Sequence, residues 1–304
     1  MVCAMAALVA LSSLTVAASP DATPASPTDK NALDQITVVG QKERALVEHQ
    51  VSSFVSAISA APSRESLARW RTPICPLVAG LPRDHGEFVL TRISQVAMEA
   101  GVPLASERCR GNFYVIVTAD PAALLKAWIK RDISLFGDAG GVKIRSFLKA
   151  TSPVRVWYNA DLDTAEGLPL SGDSTVMSPS GQKEVGSPLD GVPNNTHALG
   201  FRLSHDEVRD LSSVIVLIDS RRARGVSFGQ LADYVSLIGL AELHLDANVG
   251  DAPTVLQLFS AGKTPPPGLS NWDESFLKAL YHTEQTDKMQ LSEIKISIVR
   301  DVLH

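Results

Sequence analysis

Residues 227–244 read SFGQLADYVSLIGLAELH, and their spacing decides how the rest of the chain is assembled. Leu231, Tyr234, Val235, Ile238 and Ala241 recur every three or four residues. This predicts a helix from Phe228 to about Ala241 with those side chains facing a core. Ser227 and Gln230 form S-x-x-Q, the pattern of a capping box at the start of such a helix. Immediately upstream, residues 213–218 (SVIVLI) predict a buried strand.

Working outward, residues 112–118 (NFYVIVT) and 153–158 (PVRVWY) also predict strands. Residues 87–100 place Val89, Ile93, Val96, Ala97 and Ala100 on one helical stripe, with Gly101 suited to the cap that ends it. Asp120 and Pro121 form an N-cap and first-turn pair for a helix through Lys130. Residues 70–78 (WRTPICPLV) are expected to be extended, because Pro73 and Pro76 exclude a helix interior. Residues 43–60, 272–282 and 291–303 have helical spacing, and the β-branched run 35–40 (QITVVG) predicts a strand. Strands and helices without regular alternation indicate an α+β fold and not a doubly wound sheet.

The chain has 304 residues, 45% of them apolar and 20% charged, with a formal net charge of −5. Such a composition excludes wholesale disorder, and the lack of a basic excess argues against a nucleic-acid partner. Residues 4–18 (AMAALVALSSLTVAA) are an uncharged apolar run, too short to span a bilayer and suited to a signal-peptide core. No Lys or Arg precedes it, which raises the expectation of an earlier natural start. The expected organisation is a signal peptide over 1–18, a flexible Pro-rich linker over 19–34, and a single α+β domain over 35–304. Residues 159–200, rich in Gly, Pro, Ser and Asp, are expected to form an irregular insertion in that domain. No other run is long enough to cross a membrane, so the mature chain is expected to lack a transmembrane segment. Cys75 and Cys109, an even pair in an exported protein, read as one disulfide, the alternative being two buried thiols.

Two patterns bear on chemistry. Gly225-Val226-Ser227-Phe228-Gly229 matches G-x-S-x-G, the nucleophile elbow of α/β-hydrolases, which needs serine at a sharp strand-to-helix turn. Five residues (Ser220–Arg224) separate the strand from that motif, which favours Ser227 as a helix cap. In the second pattern, Ala232, Asp233, Ser236, Gly239, Leu240 and Glu242 follow the layout of HExxHxxGxxH. Ala232 and Ser236 stand at the two histidine positions, Asp233 at the glutamate, Gly239 at the glycine and Glu242 at the third ligand.

Further on, Leu269-Ser270-Asn271-Trp272-Asp273, with a helix closing on Leu280-Tyr281, resembles the matrixin ending. Residues 252–259 hold the place of a methionine-containing turn without a methionine. Residues 227–304 thus resemble the C-terminal half of a metzincin. The chain also resembles a family of uncharacterised bacterial exported proteins with a degenerate zincin-like domain. The resemblance implies a zincin-like mixed sheet with packed helices, the N-terminal strands forming the upper sheet, and a degenerate metal site. The ordinary alternative is an amphipathic core helix ending at Gly239.

Under either reading, an alanine methyl offers no lone pair and a serine hydroxyl is a poor zinc ligand. Glu242, even with His244 nearby, cannot make the three protein ligands that catalytic zinc needs. The expectation is therefore no bound metal and no cofactor, a pseudo-metallopeptidase. Its role would be non-catalytic binding of a protein or peptide partner in the periplasm or outside the cell. Asp233, Ser236, Glu242 and His244 are the polar candidates for binding, in a groove roofed by 159–200. One alternative is a hydrolase, serine-type at Ser227 or metal-assisted through Asp233, Glu242 and His244. The other is an envelope assembly or structural factor, suggested by the signal segment and the 35–40 run.

Overall fold

The computed structural model describes residues 30–60, 66–137, 140–164, 207–284 and 288–303. The expected signal segment, linker residues 19–29 and residues 165–200 of the expected insertion lie outside them. The chain divides into two compact units, residues 1–43 and 44–304. In chain order the elements are α1 (Lys30–Ile58), β1 (Pro76–Ala79), α2 (Arg83–Ala100), β2 (Phe113–Thr118), α3 (Pro121–Arg131), α4 (Gly141–Lys149), β3 (Val154–Thr164), β4 (Glu207–Asp219), α5 (Phe228–Leu240), α6 (Asn271–His282) and α7 (Lys288–Leu303). Two short 3-10 turns, Ile133–Phe136 and Val255–Phe259, complete the set. The fold is α+β, as the sequence predicts.

The run 35–40 is not a strand. It lies inside α1, as do residues 30–34 of the expected linker. A β-branched run carries only a weak backbone preference, and surrounding helix formers override it.

The second unit is built on one sheet of order β1-β2-β4-β3. Strands β1, β2 and β4 are parallel, and β3 runs antiparallel along β4 at the edge. Side chains alternate across it, as the pleat requires. Val214, Val216 and Ile218 of β4 join the core containing α2 and α5, while Ile215 and Leu217 join Leu125, Phe136, Ile144 and Trp157 on the other face. Both faces are thus covered, which explains the continuous apolar run in β4.

Strand β3 continues six residues beyond the expected 158, to Thr164, pairing with β4 from Ser213 back to Glu207. Residues 159–164 therefore belong to the sheet and not to an irregular insertion. A register shift falls between Asn159 and Ala160. Asn159 holds the chain there by donating to Leu135 O (3.0 Å) and Ser213 Oγ (2.7 Å), and by accepting from Trp157 Nε1 (3.0 Å).

Local signals place the flanking helices. On α2, Val89, Ile93, Val96, Ala97 and Ala100 are buried, and Gly101 ends the helix at φ 86° with its N–H on the last turn. The Asp120 side chain accepts from Ala123 N at 3.0 Å to start α3. Cys75 and Cys109 form a disulfide, with sulfur atoms 2.02 Å apart. It closes a loop of 34 residues, which in the chain-entropy account stabilises the fold by about 3–4 kcal/mol. No helix among the described residues is long and apolar enough to cross a membrane.

Candidate functional site

Helix α5 begins as the sequence predicts. Ser227 Oγ accepts from Gln230 N at 3.1 Å, capping the first turn. The reciprocal arm of the capping box is absent, because Gln230 Nε2 donates instead to Pro266 O at 2.7 Å. Ser227 is exposed, and that cap is the hydrogen bond its hydroxyl makes among the described residues. A cap, with its side chain turned onto its own helix, is the role this geometry supports.

Residues 232–240 of α5 are all buried. The helix is therefore sunk in the core and not amphipathic, and its Leu, Ile and Val side chains each contribute roughly 2 kcal/mol of burial. Gly239 keeps helical geometry. Its lack of a side chain matters because a Cβ there would land inside the Phe113 ring. The turn out of the helix comes at Ala241, which is extended (φ −141°, ψ 144°). No left-handed cap closes this end, so its last carbonyls need other donors. Three aromatic side chains supply them: Tyr158 OH to Ile238 O (2.7 Å), Trp70 Nε1 to Gly239 O (2.9 Å), and Tyr281 OH to Leu240 O. Desolvation by burial raises the Tyr158 and Tyr281 phenols well above the ordinary tyrosine range.

The four polar candidates are placed as follows. Asp233, in the second turn of α5, pairs through Oδ1 with Arg92 Nε of α2 and accepts from Leu269 N (3.2 Å) through Oδ2. Gly268 passes so close that a Cβ there would collide with the same carboxylate oxygen. Ser236 is fully buried, and its hydroxyl donates back to Ala232 O at 2.8 Å. Glu242, just beyond α5, takes both ends of the Arg209 guanidinium from β4, with Nη2 to Oε1 at 3.1 Å. His244 is exposed, and its backbone N–H donates to Ile58 O at 2.9 Å.

These residues do not converge. Asp233 and Glu242 are held by different guanidiniums, and Ser236 is turned onto its own helix. Among the described residues no three His, Cys, Asp or Glu side chains are grouped so as to hold a metal ion. The 3-10 turn below α5 is tied to α6 by Asp273. That carboxylate accepts from Thr254 Oγ1 (2.5 Å), Val255 N (2.9 Å), and Ser270 N (3.0 Å) and Oγ (2.9 Å). Ser270 and Asp273 thereby form a reciprocal capping box at the start of α6. Burial raises the Asp273 carboxyl above the usual range against the pull of these bonds.

A cavity of about 260 Å³ opens on the flank of α5, where Val154 at the start of β3 meets Tyr234, Leu245, Asp246, Leu256 and Phe259. The Tyr234 and Phe259 rings meet edge-on, 5.2 Å apart at 86°. Tyr234 is 4% exposed, and burial followed by the nearby Asp246 charge raises its phenol above the ordinary range. Neither the Tyr234 hydroxyl nor the Asp246 carboxylate makes a hydrogen bond or ion pair among the described residues.

Sequence reasoning counted Tyr234 as core and passed over Asp246. A tyrosine within an apolar stripe was the available signal, since a buried phenol normally finds a partner. The chain matches no family model, no curated protein and no solved structure.

Proposed function

We propose that this chain is an exported, non-catalytic protein that binds a protein or peptide partner on a scaffold resembling a zincin whose metal position has degenerated. The observation that carries the reading is the commitment of both candidate carboxylates to the fold. Asp233 is paired with Arg92, and Glu242 is paired with Arg209. A carboxylate whose oxygens are taken up by a guanidinium is not free to ligate a metal. Ser236 and Ala232 stand where the resemblance would place histidines, and both are fully buried. The packing of α5 against the sheet is consistent with the upper-sheet arrangement that the resemblance implies.

Two further observations support a binding role. Among the described residues β3 has a neighbouring strand only on its β4 side, and an edge strand offers backbone groups to an extended partner. The cavity opens at the first residue of that strand. Export is supported by the apolar run at residues 4–18 and by the Cys75–Cys109 disulfide, a bond that persists in oxidising compartments.

The test is incubation of the purified chain with a mixed peptide library, followed by mass spectrometry of bound and free fractions. The reading expects retained peptides of unchanged mass and no labelling of Ser227 by a fluorophosphonate. Cleaved peptides, or a covalent adduct on Ser227, would overturn it.

A further inference from the structure

The cavity beside Tyr234 has an unbalanced chemistry. Its wall includes the exposed Asp246 and the buried Tyr234, whose carboxylate and phenol oxygens can accept hydrogen bonds, together with Ser152 and Ser260, and among the described residues no Lys, Arg or His lines it. Tyr234 is more than nine-tenths buried, yet its hydroxyl bonds to nothing among the described residues. That hydroxyl keeps some exposure on the cavity side, so a donor entering the cavity can reach it. The two rings at right angles present aromatic surface, which attracts a positive charge lying over it. Val154, Leu245 and Leu256 add a smaller apolar surface for a stem to a lining that is mainly polar.

We propose that this cavity binds a primary ammonium or guanidinium group carried on an apolar stem, with Asp246 pairing the charge and Tyr234 accepting one N–H. Two sources share that chemistry: a lysine or arginine side chain of the partner, and a free alkylamine such as agmatine. The inference deepens the binding reading and rests on it for treating the cavity as a site. Peptide cleavage would sink that reading, whereas the test below reads cation preference alone.

The experiment is calorimetric titration of the purified chain with agmatine and with N- and C-blocked peptides holding a central Arg, Lys, citrulline or norleucine. The cationic compounds should bind at least about tenfold tighter than the neutral ones, as expected for a charge-assisted contact. Asp246→Asn should weaken cation binding by about tenfold, and Tyr234→Phe by about threefold. Neither substitution should shift the melting temperature appreciably, because neither group bonds to another described residue. Tighter binding of the Arg or Lys peptide than of agmatine assigns the side chain of a partner, and equal or tighter binding of agmatine assigns a free amine. Equal affinity for the neutral peptides, no saturable cation binding up to about 10 mM, or variants that bind like the parent would overturn the proposal.

Discussion

The row of polar groups along α5 and the corner at its flank are built on opposite terms. In the row, Asp233, Ser236 and Glu242 each have an internal partner, and the last three carbonyls of the helix are taken by Tyr158, Trp70 and Tyr281. In the corner, Tyr234 and Asp246 have none among the described residues. Both regions use the same helix and residue types. Chemical type therefore does not decide which polar residues serve the fold and which are left for a ligand. Partnership and exposure do: the row is paired inside the fold, whereas Asp246 is exposed and the Tyr234 hydroxyl opens on the cavity.

The contrast can be broken most forcefully in the closed row. Arg209→Met leaves the Glu242 carboxylate largely buried and without its guanidinium, and should cost about 3 kcal/mol or more. Arg209→Met with Glu242→Leu should recover most of that loss, since replacing both partners removes the stranded charge. Urea denaturation of both variants and the parent measures the two effects. A single variant as stable as the parent would show that the pair does not hold the exit of α5.

Gly239→Ala comes next. The added methyl must displace the Phe113 ring, which stacks on Trp70 at 6.3 Å. The expected loss is about 2–3 kcal/mol, as for overpacking of a tight core. A joint substitution with Phe113→Leu should restore part of it.

The sharpest comparison uses one chemical change in two places. Tyr281→Phe strips a donor from a carbonyl of α5 and should cost about 1–2 kcal/mol, whereas Tyr234→Phe should cost under about 0.5 kcal/mol. Alkaline titration extends this. The phenols of Tyr158, Tyr234 and Tyr281, three of the four tyrosines, are raised by burial. A folded pKa above the unfolded value of about 10 means the stabilisation is fully present below about pH 10 and fades as pH rises towards the folded value. Phenolate absorbance from these three should therefore emerge together with loss of helical circular dichroism. Their ionisation in an intact fold would contradict the packing described here.

The sequence disclosed what short-range physics controls. The stripe of α2, the Gly101 and Asp120 caps, the Ser227 cap and the strand 112–118 were all legible, because each rests on neighbours within a turn or two. The second half of β3 is hidden in the sequence because residues 159–200 taken together are rich in Gly, Pro, Ser and Asp, the composition of a loop. Yet Asn159-Ala160-Asp161-Leu162-Asp163 alternates with period two, the mark of a half-buried edge strand. Helix α4 went unseen because it follows Gly140 and opens on Gly141, which mask the spacing of Ile144 and Phe147. The partners of the candidate carboxylates could not be read at all. Arg92 lies 141 residues from Asp233 and Arg209 lies 33 from Glu242, and only the three-dimensional packing joins them.

The account turns on whether Glu242 is committed to Arg209 or available to a metal. Elemental analysis of the purified chain after equilibration with zinc, repeated on Glu242→Ala with melting temperatures for both, asks that directly. The prediction is substoichiometric zinc in each protein, and a lower melting temperature for the variant that neither zinc nor a chelator changes. One zinc per parent chain, lost in Glu242→Ala, would contradict it.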